Sequence, residues 1–228
     1  MPGCARRHQL SESLTYHVYS RSNGRVRIFH DGDDFKYFRG LLTKYASIFC
    51  LKVYHWVIMS NHYHLLLEIE IPEEISSCMS GLARSYTYYY HKKYKTNGFL
   101  WQGRFKMQAI EKENYLLACG RYIERNPVRA RMVSDPAKYA YSSSGFYCLG
   151  TEDGLTIEDP YFETFGTDVL GRRQGYARFL QDFDVEEEQS FHNIEEPQGS
   201  LEFKRRLIKD HGRHMPRRKG RAGHRFVV

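Results

Sequence analysis

At 228 residues, with 41% hydrophobic and 15% aromatic side chains, the chain suits one packed domain with an extension, and its composition excludes chain-wide disorder. The formal charge of +7 is uneven: residues 201–228 carry ten Lys/Arg against Glu202 and Asp210, residues 182–196 hold seven acids and no Lys/Arg, and residues 1–181 are net +6. A basic body with a more basic tail points to a polyanion partner, and no apolar run approaches the 18 residues of a membrane span.

In chain order, residues 14–21 (LTYHVYSR) alternate as a strand and Asn23-Gly24 is a turn signal. Phe35, Phe38, Leu41, Leu42, Tyr45 and Phe49 recur at helical spacing over residues 33–49. Two apolar runs, 51–59 and 62–69, are divided by Ser60-Asn61 and predict a hairpin with a buried face. Residues 74–94 predict a long helix, 105–110 a short strand, and 113–125 a helix stopped by Asn126-Pro127. This β-α-β-β-α-β-α order predicts an α+β domain, an antiparallel sheet with helices mainly on one face, over residues 1–147. Residues 148–228 form a C-terminal extension: a loop, a helix over 167–183, an acidic linker, a short helix over 199–211, and a flexible basic arm at Arg217, Arg218, Lys219 and Arg221.

Cys4, Cys50, Cys78, Cys119 and Cys148 have neither disulfide-framework nor zinc-knuckle spacing, and the first residues lack the apolar stretch of a signal peptide. The expected compartment is the reducing cytoplasm, with association to the nucleoid.

The sharpest local feature is His62-Tyr63-His64. Residues two apart on a strand share a face, so both imidazoles project together while Tyr63 points the other way, giving half of a divalent-metal site. Tyr122 and Asn126, four apart on the helix, share a face as well. The Asn126 amide oxygen is a suitable third ligand for Mg²⁺ or Mn²⁺, and Tyr122 would stand one turn away. Tyr115, seven residues before Tyr122, lies near the same face, and periodicity does not separate the two.

The segment Asn61-His62-Tyr63-His64-Leu65-Leu66-Leu67 resembles the His-hydrophobe-His (HUH) motif of single-domain tyrosine transposases. The similarity is to their REP-associated subgroup in particular. Gly98 to Phe105 (GFLWQGRF), Tyr115-Leu116-Leu117, Arg121 to Ala130 (RYIERNPVRA) and Tyr141 to Ser144 (YSSS) support it, covering roughly residues 14–147. Ser60 stands where the family often has Pro, and Tyr141 where it often has Trp. The resemblance implies the ferredoxin-like HUH nuclease fold and a substrate of single-stranded DNA carrying palindromic hairpins. It also implies a metal on His62, His64 and Asn126, and Tyr122 as the nucleophile that takes the 5′ phosphate. Arg104, Lys106, Arg121, Arg125, Arg129 and Arg131 surround these elements and are, with the basic arm, the expected phosphate contacts. A replication initiator or relaxase using the same motif normally carries further domains. A non-catalytic nucleic-acid-binding module would give no reason for the His pair and the Tyr/Asn pair to coexist.

Overall fold

The computed structural model describes residues 10–11, 14–112, 114–192 and 197–211, and begins with strand β1, Thr15–Arg21. Helix α1, Gly32–Ile48, follows; the Asp31 side chain accepts from the Asp33 and Asp34 amides and Asp34 reaches back, a capping box that fixes where the helix starts. Strands β2, Leu51–Ile58, and β3, His62–Ile69, form the expected hairpin, closed by the Met59 amide donating to His62 O at 2.8 Å. Helix α2, Ile75–Tyr94, ends at Lys95 in the left-handed region (φ 54°), and β4, Lys106–Ile110, returns to the sheet. All pairings are antiparallel in the order β2-β3-β1-β4, so the two central strands are β1 and β3, the ferredoxin-like arrangement.

Strand alternation sends residues to two different environments. Tyr16, Val18, Trp56, Tyr63, Leu65, Leu67 and Met107 face α1 and α2 and form the main core with Phe35, Phe38, Leu82 and Tyr86. Across the pleat, His17, Tyr19 and Arg21 on β1 lie beside His62 and His64 on β3 and Lys106 and Gln108 on β4, a polar row on otherwise buried strands. Helices do not sit mainly on one face, as the sequence suggested. Helix α3, Asn114–Glu124, covers part of this second face, its Leu116, Cys119 and Ile123 packing on Val57, Leu66 and Ile110. Only the apolar part of the polar face could be covered, and a short helix with an apolar stripe does so.

Pro127 ends α3 as expected, but it also opens another turn, α4, Asn126–Arg129, where a missing amide hydrogen costs nothing. The Arg125 and Arg129 amides still donate to the carbonyls four residues back, so α4 carries Asn126 and Arg129 on beside Tyr122.

Helix α5, Ser144–Leu149, runs across the expected boundary at residue 147, and beyond it come α6, Val169–Gln181, α7, Val185–Ser190, and α8, Leu201–His211. The extension reaches both sheet edges. The Ile157 amide donates to Val53 O on β2 at 2.8 Å, and the Gln198 amide to Ala109 O on β4 at 2.9 Å, so each edge strand has part of its outer side paired. The acidic segment is not a linker throughout, because its residues 185–190 fold as α7 against α3.

A buried polar joint ties α3 to the extension. The His55 imidazole on β2 bonds Glu124 Oε1 through Nδ1 (2.9 Å) and Asp159 Oδ2 through Nε2 (3.0 Å), all three side chains being fully buried. Ser143 Oγ (2.5 Å) and Tyr176 OH (2.9 Å) donate to the same Glu124 carboxylate. Gly120 permits this approach, since a Cβ there would stand 2.7 Å from the His55 ring. Among the described residues no helix is long and apolar enough to cross a membrane, and Cys50, Cys78, Cys119 and Cys148 are free thiols.

Candidate active site

The polar row opens into a cleft of about 510 Å³ lined by His62, His64, Tyr122, Asn126, Arg129 and His192, with Tyr19, Arg21, Arg25, Asn61 and Lys106 around them. His62 and His64 share it because they are two apart on β3, their ring centroids 5.3 Å apart. Each has its Nδ1 occupied from behind. His62 Nδ1 lies 2.6 Å from Asn61 Oδ1, and the Asn61 amide nitrogen donates to Arg25 O at 2.7 Å. Asn61 must therefore accept from His62 Nδ1–H, which leaves the lone pair on His62 Nε2. His64 Nδ1 lies 2.8 Å from Nε2 of the fully buried His17.

Burial is the first cause holding these imidazoles neutral, with the nearby Arg129 charge adding to it. The His62 pKa is lowered to about 4, that of His17 to about 3, and that of His64 well below the usual value. Neutral imidazoles are the form that ligates metals.

Tyr122 enters the cleft from α3. Its ring lies 5.8 Å from His64 and 5.7 Å from His17, edge to face, and it also packs on Phe191, so it is both a core aromatic and a cleft residue at 4% exposure. The Arg129 guanidinium lies over the ring, 4.1 Å from its centroid. Burial pushes the phenol up to about 12, while the Arg129 charge and hydrogen bond pull the other way. Asn126 Nδ2 donates to Tyr122 O and Ile123 O, both at 3.1 Å, so Oδ1 is the atom that can meet a cation. Two imidazole nitrogens and one amide oxygen, with space for phosphate oxygens, fit a divalent cation of the Mg²⁺ or Mn²⁺ kind. Among the described residues no three His, Cys, Asp or Glu side chains form a metal cluster, so Asn126 is needed to complete a protein donor set. Tyr115, by contrast, stands in a separate groove with Ile110, Ser200, Phe203 and Arg206.

A family model described as IS200-like transposase matches residues 10–126, just over half of the 228-residue chain. The chain belongs to the IS200-like transposase family. Among solved structures, a REP-associated tyrosine transposase bound to a REP hairpin has the same fold at a TM-score of 0.53 and 18% identity, over 70% of this chain and 90% of that one. No curated protein matches the chain. The resemblance read from the HUH, Tyr-Asn and flanking segments thus holds for the family, and the fold agrees with that of the REP-associated protein.

In this transposase the expected phosphate contacts separate into groups. Lys106 and Arg129 line the cleft, and Arg104 and Arg131 are exposed and are not among its lining residues. Arg121 and Arg125 are buried and hold the extension instead of facing solvent. Arg121 donates to Asp182 O and pairs with Glu187, and Arg125 Nε meets Glu188 Oε1 at 2.8 Å while its Nη1 donates to Leu180 O at 2.7 Å. The physical reason is helical spacing. Arginines at 121, 125 and 129 form one stripe, and the acidic segment that sequence reading set aside as a linker supplies the carboxylates for it. Arg217, Arg218, Lys219 and Arg221 lie outside the described residues. Sequence reading missed Arg21, Arg25, His17 and Gln108. The β1 residues His17, Tyr19 and Arg21 left a signal, since the strand alternates them with Tyr16 and Val18.

Proposed function

We propose that this transposase cuts and rejoins single-stranded DNA at palindromic hairpins, with Tyr122 as nucleophile and His62, His64 and Asn126 holding Mg²⁺ or Mn²⁺. The observation that carries the reading is that Tyr122 shares one cationic cleft with two neutral histidines whose Nδ1 atoms are already partnered. The hairpin substrate is proposed from the structural relative, which is bound to a REP hairpin. Residues 1–147 would process the DNA in the cytoplasm, and residues 148–228 would extend the fold and bring a basic arm to the DNA.

Arg21, Arg25, Lys106 and Arg129 line the cleft and neutralise the DNA backbone as it enters. A bound divalent cation would act as Lewis acid and template on the scissile phosphate. The Tyr122 oxygen attacks phosphorus in line, forming the O–P bond as the bond to the 3′ oxygen breaks. The phenol gives up its proton and the departing 3′ oxygen gains one. The strand is left with a free 3′-OH and a 5′ phosphate on Tyr122. Because the phosphotyrosine retains the bond energy, attack by a 3′-OH reverses the step and rejoins the strands without ATP.

The test is incubation of the full chain with labelled single-stranded DNA carrying the inverted repeats that flank its coding region. With Mg²⁺ or Mn²⁺ a protein–DNA adduct should survive a denaturing gel, and with chelator it should vanish. Absence of adduct under both metals would reject the reading. In the same assay His62→Ala and His64→Ala should each lose cleavage while binding of the hairpin persists, because ligands act on chemistry more than on phosphate contacts. Cleavage near the wild-type rate by either variant would mean that the metal is held elsewhere.

A further inference from the structure

The second face of the sheet carries three side chains in a line across β4, β1 and β3. His17 and Gln108 are register partners, and the Gln108 amide lies 3.1 Å from His17 Nδ1. His17 Nε2 lies 2.8 Å from His64 Nδ1, and the two imidazoles meet edge to edge, near-coplanar, with ring centroids 5.0 Å apart and planes 23° apart. His17 is fully buried, Gln108 2% and His64 3% exposed, so the line runs from the sheet interior to the cleft.

A neutral imidazole donates at one nitrogen and accepts at the other, so the bonds among these three side chains are self-consistent in two ways. With the Gln108 NH₂ toward His17 Nδ1, His17 donates to His64 Nδ1 and the His64 proton sits on Nε2, blocking that nitrogen as a ligand. With the Gln108 oxygen inward, His17 Nδ1–H donates to it, His17 Nε2 accepts from His64 Nδ1–H, and the His64 Nε2 lone pair is open to the cleft. The two states differ by a half-turn of one amide, whose two ends have nearly the same shape. His62 supplies the precedent, since its anchored Asn61 already imposes the Nδ1–H tautomer.

We propose that Gln108 and His17 are positioning residues that fix the tautomer of His64, the oxygen-inward state of Gln108 presenting His64 Nε2 to the cation. This rests on the reading that His62 and His64 are ligands. Neither positioning residue touches DNA or metal; both act through His64, as partners behind a metal ligand do elsewhere.

The experiment uses the full chain and Mn²⁺ itself, with binding followed by electron paramagnetic resonance in the absence of DNA. Gln108→Leu, which cannot accept from His17, should weaken Mn²⁺ by roughly 10- to 100-fold. Gln108→Glu, an acceptor whichever way it turns, should restore binding to within a few-fold of wild type, a rescue that a packing role would not produce. His62→Ala serves as the ligand control. If it loses Mn²⁺ while Gln108→Leu binds like wild type, the relay is wrong and the ligand reading stands. If His62→Ala and His64→Ala both bind like wild type, the ligand reading falls and takes the relay with it. Independently of any variant, ¹⁵N shifts of the His64 ring in the metal-free wild type should show Nδ1–H; an Nε2–H tautomer would overturn the proposal.

Discussion

Tyr122→Phe is expected to abolish the covalent protein–DNA adduct, lowering strand cleavage by roughly 10³-fold or more, as loss of a nucleophile does. Folding and hairpin binding should barely change. The ring makes the packing contacts with Phe191, His17 and His64 and carries the Arg129 cation on its face, and all of these survive removal of one hydroxyl. The stability cost should stay near that of a single hydrogen bond, about 1 kcal/mol. Tyr115→Phe should retain the adduct. Tyr115 is 38% exposed at the start of α3, in the groove with Phe203 and Arg206. Peptide mapping of the trapped complex decides between them. DNA on Tyr115, or on any residue but Tyr122, would overturn the assignment.

The two tyrosines also show where sequence reading stops. Seven residues is two helical turns, so spacing sets Tyr115 and Tyr122 on nearly one face and cannot tell which end of that face meets β3. Only the packing of α3 across the sheet does so, with Tyr115 in the groove beside Ile110 of β4 and Tyr122 against His64 of β3. The strands, the hairpin turn and the first two helices were legible because each rests on local periodicity or turn chemistry. His62 and His64 were legible for the same reason, being neighbours on one strand. His17 and Gln108 were not, because they meet His64 only through strand pairings that join residues 47 and 91 positions apart. The arginine stripe misled for a related reason. Positive charge near an active-site helix reads as a phosphate surface until the carboxylates of Glu187 and Glu188, some sixty residues away, are seen on it.

His55→Gln is expected to destabilise the fold by about 3–5 kcal/mol near neutral pH, the usual result of removing one partner from a buried ion pair. The reason is charge: Glu124 and Asp159 remain fully buried and lose the cation between them. Burial alone would lower the imidazole's pKa, but hydrogen bonds to Asp159 and Glu124 and the charges of both outweigh it and raise it from 6.5 to about 9. A pKa raised on folding means that the folded state holds the proton more tightly. The stabilisation is therefore complete below the unfolded value of 6.5 and is lost as pH rises through about 9. Urea unfolding of wild type and variant, from neutral pH to above that point, should show their stability difference shrinking. A difference that does not change with pH would mean that His55 is neutral in the fold. The consequence reaches the site, because Glu124 is the last residue of α3, two positions after Tyr122 and two before Asn126. Loosening this clamp frees the helix end that carries both, so adduct yield should fall along with stability in His55→Gln, with the cleft residues themselves unchanged.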